Sequence, residues 1–143
     1  MNIKLLKKIK NAILKAPLRF NMDWWVKKHR DGLFIAKSAL PPCGTTACIA
    51  GHALALAQKK PLTTSFWLKQ KEIVGNSENN SPVSRLAGKL LDLNTAQRRR
   101  LFFVREWPSQ FELVGYPHKR EATRNAKVAA RRIDHFIKTK GKQ

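Results

Sequence analysis

The chain has 143 residues, 29 of them Lys or Arg and only 9 Asp or Glu, for a formal net charge of +20. Its 43% hydrophobic and 27% charged residues are ordinary globular usage, which excludes full disorder and gives enough chain for one real core. Two cysteines exclude a disulfide scaffold, and nine acids leave few candidates for paired-carboxylate or magnesium chemistry.

A surplus of this size exceeds what solubility needs and points to a polyanion: nucleic acid, an acidic membrane surface or an acidic protein. It is unevenly placed. Residues 1–30 carry net +8, residues 31–84 net +2 and residues 85–143 net +10, so two cationic segments flank a nearly neutral middle. Lys7, Lys8, Lys10 and Lys15 interrupt any signal-like apolar stretch. The longest apolar run, 47–57, is too short to span a bilayer. The expectation is a soluble, cytoplasmic, reduced protein with no membrane partner.

The pattern is helical almost throughout. Leu5, Leu6, Ile9, Ala12 and Ile13 recur at helical spacing opposite Lys4, Lys7, Lys8 and Lys15, which predicts a basic amphipathic helix over 1–16, stopped by Pro17. Asn21 is read as the cap of a short helix through Asp23, Trp24, Trp25 and Val26. A loop follows over 30–44, marked by Asp31-Gly32 and Pro41-Pro42. Thr45 or Thr46 is read as the cap of a helix running to Lys59, whose small residues admit close neighbours. A short helix is expected from 63–65 through Ile73, and then a flexible loop over 75–80. Ser81-Pro82 has the form of a cap followed by proline at the first helical position, and that helix carries Leu86, Ala87, Leu90 and Leu91. Asn94 or Thr95 caps the next helix, with Arg98, Arg99, Arg100, Leu101 and Phe102, broken at Trp107-Pro108. The last helix is expected over 119–138, with a flexible basic tail over 139–143. No strand run is long enough to defend. The expected fold is all-α, a single compact domain of about six helices centred on the helix over 43–59.

Three ordered motifs carry a resemblance. They are Phe20-Asn21-Met22-Asp23-Trp24-Trp25, then Cys43-Gly44-Thr45-Thr46-Ala47-Cys48-Ile49-Ala50-Gly51-His52-Ala53, then Leu101-Phe102 with Trp107-Pro108 and Phe111. Together with Ala129-Ala130-Arg131-Arg132-Ile133, they make the chain similar over most of 16–138 to a group of small proteins from bacteria and their phages. That group has no assigned activity, so the resemblance implies no function. His52 stands where the group's pattern has Trp, and the lysine-rich first helix and heavy arginine load are special to this chain.

The last helix has the sharpest geometry. At ~100° per residue, Arg120, Arg124, Lys127, Arg131 and Lys138 fall within an arc of roughly 60°, opposite Ala122, Ala126, Ala129, Ile133, Phe136 and Ile137. A cationic ridge of this kind suits a phosphate backbone, although a solvated helix face is the ordinary fate of a charge run. The first helix reads as core packing with a solvated lysine face, ahead of nucleic-acid contact and membrane contact.

Cys43, Cys48 and His52 have a spacing open to three readings: buried thiols at a tight turn, a reversible disulfide, or zinc with a fourth ligand from His29, His118 or His135. Cys43 at a helix start could also serve as the nucleophile of a hydrolase. Phe102, Phe103, Trp107 and Phe111 read as core.

The expected function is therefore non-enzymatic binding of nucleic acid, DNA or RNA, through phosphate contacts, without a cofactor or metal. The contact residues are Arg98, Arg99, Arg100, Arg120, Arg124, Lys127 and Arg131, with Lys4, Lys7 and Lys8 as a second patch. The alternatives are an interaction protein that docks on an acidic protein, a phage or host factor or a nucleoprotein complex, and a cysteine hydrolase using Cys43.

Overall fold

Helix α1 (Ile3–Lys15) forms where the sequence places it, with Leu5, Leu6, Ile9, Ala12 and Ile13 as its buried stripe. A computed structural model describes residues 1–22, 26–28, 45–57, 82–114 and 119–143. Within these, a 3-10 turn (Pro17–Arg19) follows α1, then strands β1 (Val26–Lys28) and β2 (Thr45–Ala47). Helices α2 (Ile49–Ala57), α3 (Pro82–Leu90) and α4 (Thr95–Phe102) come next, then two 3-10 turns (Val104–Glu106 and Ser109–Phe111) and α5 (Lys119–Lys138). The class is all-α, with five α-helices and one short ribbon among the described residues. α1 lies against both α2 and α5, while α2 also packs on α3 and α4, so the centre of packing is shared between α1 and α2. Leu6, Ile9, Ile13, Ile49, Leu54, Leu91, Leu101, Ile133 and Phe136 are all buried in one core. Each such side chain contributes about 1.5–3 kcal/mol.

The ribbon corrects two expectations. Val26 is not in a helix: it pairs with Ala47, antiparallel, and Lys28 pairs with Thr45. Thr45 and Thr46 do not cap α2 but lie in β2, where β-branched residues suit an extended chain. Phe20 forms a further parallel bridge to Ala47. The helix itself begins at Ile49, and Cys48 O accepts its early bond from His52 N at 2.9 Å. The expected loop over 30–44, the helix over 63–73 and the loop over 75–80 lie outside the described residues.

Helix ends decide how the pieces join. α3 closes with Leu93 N on Gly88 O and Asp92 N on Lys89 O, with Asp92 left-handed at φ 53°. This is a Schellman closure. The carbonyls still free are taken from α1's side: Asn2 N donates to Leu91 O at 2.7 Å, and Asn2 Nδ2 to Leu90 O at 3.2 Å. Asn2 Oδ1 meanwhile caps α1 by accepting from Leu5 N. The Met1 amino group pairs with Asp92, holding that exposed carboxyl below its ordinary range through a hydrogen bond and its charge.

The second Schellman closure ends α5: Gly141 N donates to Phe136 O and Lys140 N to Ile137 O. Lys140 and Gly141 have φ of 53° and 71°. The reading of 139–143 as a flexible tail is corrected here. Gly141 is buried, Gln97 Nε2 donates to Lys140 O, Arg100 Nη1 to Gly141 O, and Arg132 Nη1 to Gln143 O. The tail is docked because arginines with few carboxylates to pair with bond its carbonyls instead.

A Cβ on Gly141 would lie 2.8 Å from Phe136 Cζ and 2.8 Å from Gln97 Cγ, at a φ that L residues rarely adopt. Gly141→Ala is expected to lower unfolding free energy by about 1–3 kcal/mol, read as a shift in the denaturant midpoint at unchanged slope.

Candidate nucleic-acid interface

α5 needs a wide buried face, and its alanines provide one. Ala122, Ala126, Ala129, Ala130, Ile133 and Phe136 are buried, while Arg120, Arg124, Lys127 and Arg131 are exposed. The four cations span about 16 Å of helix axis. None of them is in the ion pairs among the described residues, which are Met1–Asp92, Lys10–Asp134 and Arg99–Glu106.

The ridge lies in an open groove of ≈ 1300 Å³. One wall is α1, through Lys10 and Leu14; the other is the segment around the last 3-10 turn, through Ser109, Gln110 and Glu112. The contacts that fix the walls lie on opposite sides of the ridge. Asp134, about 40° to one side of the ridge centre, meets Lys10 Nζ at 2.9 Å. His135, about 60° to the other side, meets the Phe111 ring at a centroid distance of 5.2 Å. Asn125 fixes the second wall further: its Oδ1 accepts from Val114 N at 2.9 Å, and its Nδ2 donates to Val114 O at 2.8 Å. A buried side chain thus pairs with a main chain as a strand would. Sequence reasoning missed Lys10, Ser109, Gln110 and Asn125 as parts of this site. Nothing in their local pattern marks them, although Asp134, an acid within a basic helix, signals that a cation must face it.

Under the ridge lies Arg132, fully buried. Its Nη2 donates to Arg100 O at 2.8 Å and its Nη1 to Gln143 O at 3.0 Å, and its guanidinium sits over the Phe111 and Phe136 rings. Burial, with the Arg100 charge as a smaller cause, lowers its pKa to about 10, so it stays cationic at neutral pH.

The arginine triplet is divided. Consecutive helical residues point about 100° apart and cannot share one face. The Arg98 side chain fills the space beside Gly88, with Nη2 on Thr95 Oγ1 at 3.0 Å. Arg99 pairs with Glu106, and Arg100 holds the tail. None of the three lines the groove. The lysine patch is also divided. Lys4, Lys7 and Lys8 are all exposed. Lys7 shares the stripe of Lys10 and Leu14 but does not line the groove, whereas Lys4 and Lys8 stand with Lys15 on the neighbouring face.

The aromatics behave as core: Phe102, Phe103, Trp107 and Phe111 are buried. Trp107 Nε1 donates to Leu101 O at 3.1 Å, satisfying a helix-end carbonyl. No helix among the described residues is long and apolar enough to cross a membrane. The chain matches no protein-family model, no curated protein and no solved structure.

Cys43 lies outside the described residues, and these hold no group of three metal-ligating side chains. Cys48 is buried, and burial pushes its thiol from 9.0 up to about 11, so it is a poor nucleophile at neutral pH. His52 is fully buried beside Phe20, at a ring separation of 6.4 Å. Its Nδ1 lies 3.0 Å from Cys48 O, so Nδ1 carries the proton and donates. His52 serves as an interior aromatic.

Burial, aided by the Arg19 charge, lowers the His52 pKa from 6.5. The unfolded chain therefore takes up the proton first as pH falls. The contribution to stability is complete above about pH 6.5 and is lost below it, at up to ~1.4 kcal/mol per pH unit until the folded pKa is reached. Denaturant melts at pH 7.5 and 5.5 should show this loss, and His52→Phe should show less of it.

Proposed function

We propose that the protein binds nucleic acid without catalysing a reaction on it, through phosphate contacts made by Arg120, Arg124, Lys127 and Arg131. The observation that supports this reading is the exposure of four cations, unpaired among the described residues, on one face of α5 along an open groove. Their span of about 16 Å matches the rise of about five nucleotides of one strand. Lys10 on the α1 wall is held by Asp134, and Lys7 lies beyond it on the same face of α1. The triplet 98–100 contributes to the field but is held by Thr95, Glu106 and Gly141. Such contacts position a polyanion without reading its sequence.

Binding of a labelled oligonucleotide across salt concentrations tests this. Four neutralised phosphates give a slope of log K against log salt of about −2.8 on a single strand or about −3.6 on a duplex. The triple variant Arg120→Ala, Arg124→Ala, Arg131→Ala should flatten the slope to about −1. Arg85→Ala, Lys89→Ala and Lys142→Ala together remove the same charge from exposed positions outside the groove and should leave the slope nearly unchanged. Equal flattening by both sets would mean that net charge, and not this face, carries binding. Displacement by polyglutamate as effective as by nucleic acid would replace the ligand with an acidic protein.

Asp134→Asn removes a carboxylate from the groove and frees Lys10. It should tighten binding by about 2–5-fold, measured in the same titration.

A further inference from the structure

Resting on the nucleic-acid reading above, we infer that the groove between α1 and the 109–112 segment is a track for a single strand, held by its phosphates with its bases outward. The ridge is a floor and not a crest. A helix that reads a duplex must enter a major groove ~12 Å wide, and a helix with its side chains is itself ~10–12 Å across. α5 is flanked by α1 on one side and by the segment carrying Ser109, Gln110 and Glu112 on the other, so it cannot enter. A single strand is narrow enough to come to the ridge instead. At ≈ 1300 Å³ the groove exceeds the ~300–1,000 Å³ of a small-molecule pocket, which suits a segment of a polymer.

The charges are arranged across the groove as well as along it. Cations occupy the midline, and one carboxylate stands at each wall: Asp134 beside Lys10, and Glu112 opposite. Asp134 is neutralised by Lys10 and Glu112 leaves the other wall negative, so phosphates gather on the unpaired cations of the floor. Among the described residues the floor offers no ring for stacking, because Phe111 and Phe136 are buried and face Arg132 from below. The bases therefore stay toward solvent, within reach of Gln110 and Ser109 on one wall and Leu14 on the other, and recognition is tolerant of sequence.

The test compares a labelled mixed-sequence single strand of about 12 nucleotides with its blunt duplex, in fluorescence anisotropy at several salt concentrations. The single strand should bind at least about tenfold tighter, with a slope of about −2.8. Leu14→Glu with Gln110→Glu sets a carboxylate on each wall; both side chains are exposed, and a melt confirms folding. This pair should weaken single-strand binding by about tenfold, while Leu18→Glu with Ala96→Glu, the same charge at exposed positions outside the groove, should change it little. Tighter duplex binding, or equal effects of the two pairs, overturns the track while leaving nucleic-acid binding standing. Failure to bind either form at low salt overturns the nucleic-acid reading itself.

Discussion

Arg132 is a buried cation that pairs with no Asp or Glu among the described residues, and several parts of the structure meet at it. Desolvating a guanidinium costs several kcal/mol unless its donors are satisfied. Here the acceptors are Arg100 O at the end of α4 and Gln143 O in the tail, two aromatic faces lie alongside, and Nε is left without a hydrogen-bond partner among the described residues. One side chain therefore ties α5, α4, the Phe111 turn and residues 139–143 together. It also meets a need of α4, whose last carbonyls have no partner within the helix. Arg99 O is taken by Phe103 N, Arg100 O by Arg132 and Leu101 O by Trp107 Nε1.

This arrangement follows from composition. With 29 basic residues and 9 acidic ones, most cations have no acid to pair with. The fold gives them three destinations. Some go to carboxylates, as Lys10 and Arg99 do. Some go to main-chain carbonyls at helix ends, as Arg100 and Arg132 do. Others are exposed, as Lys4, Lys7 and Lys8 on α1 and Arg120, Arg124, Lys127 and Arg131 on α5 are. Pairing cations with carbonyls holds the tail, Asn125 and His135 hold the segment from Ser109 to Val114, and these contacts set one exposed helix face in the floor of a groove. Stability and the candidate site are thus coupled through the same scarcity of acids.

The elements with a strong local signal were legible. α1 and its stripe, the start of α3 at Pro82, a cap at Asn94 or Thr95, and α5 from Lys119 to Lys138 all follow from periodicity and capping chemistry, and the structure settles the cap on Asn94 with Gln97 as its partner. The misreadings occur where a distant partner overrides local preference. Val26 and Thr45–Ala47 looked helical until paired with each other, because a three-residue strand has too little alternation to be seen alone. Residues 139–143 looked like a solvated tail because their stabilising contacts are to residues 97, 100 and 132, far away or on another face.

Sequence by itself determined the helical class, the cationic surplus and the alignment of Arg120, Arg124, Lys127 and Arg131, because helical spacing and charge are local properties. Tertiary structure alone decided which cations remain free. It divided Arg98, Arg99 and Arg100 among Thr95, Glu106 and the tail, since three adjacent helical residues must point three ways. It brought Lys10, Leu14, Ser109 and Gln110 from distant parts of the chain to flank the ridge. It also buried Arg132, one residue after the exposed Arg131, because a turn of about 100° carries a side chain from solvent into the core.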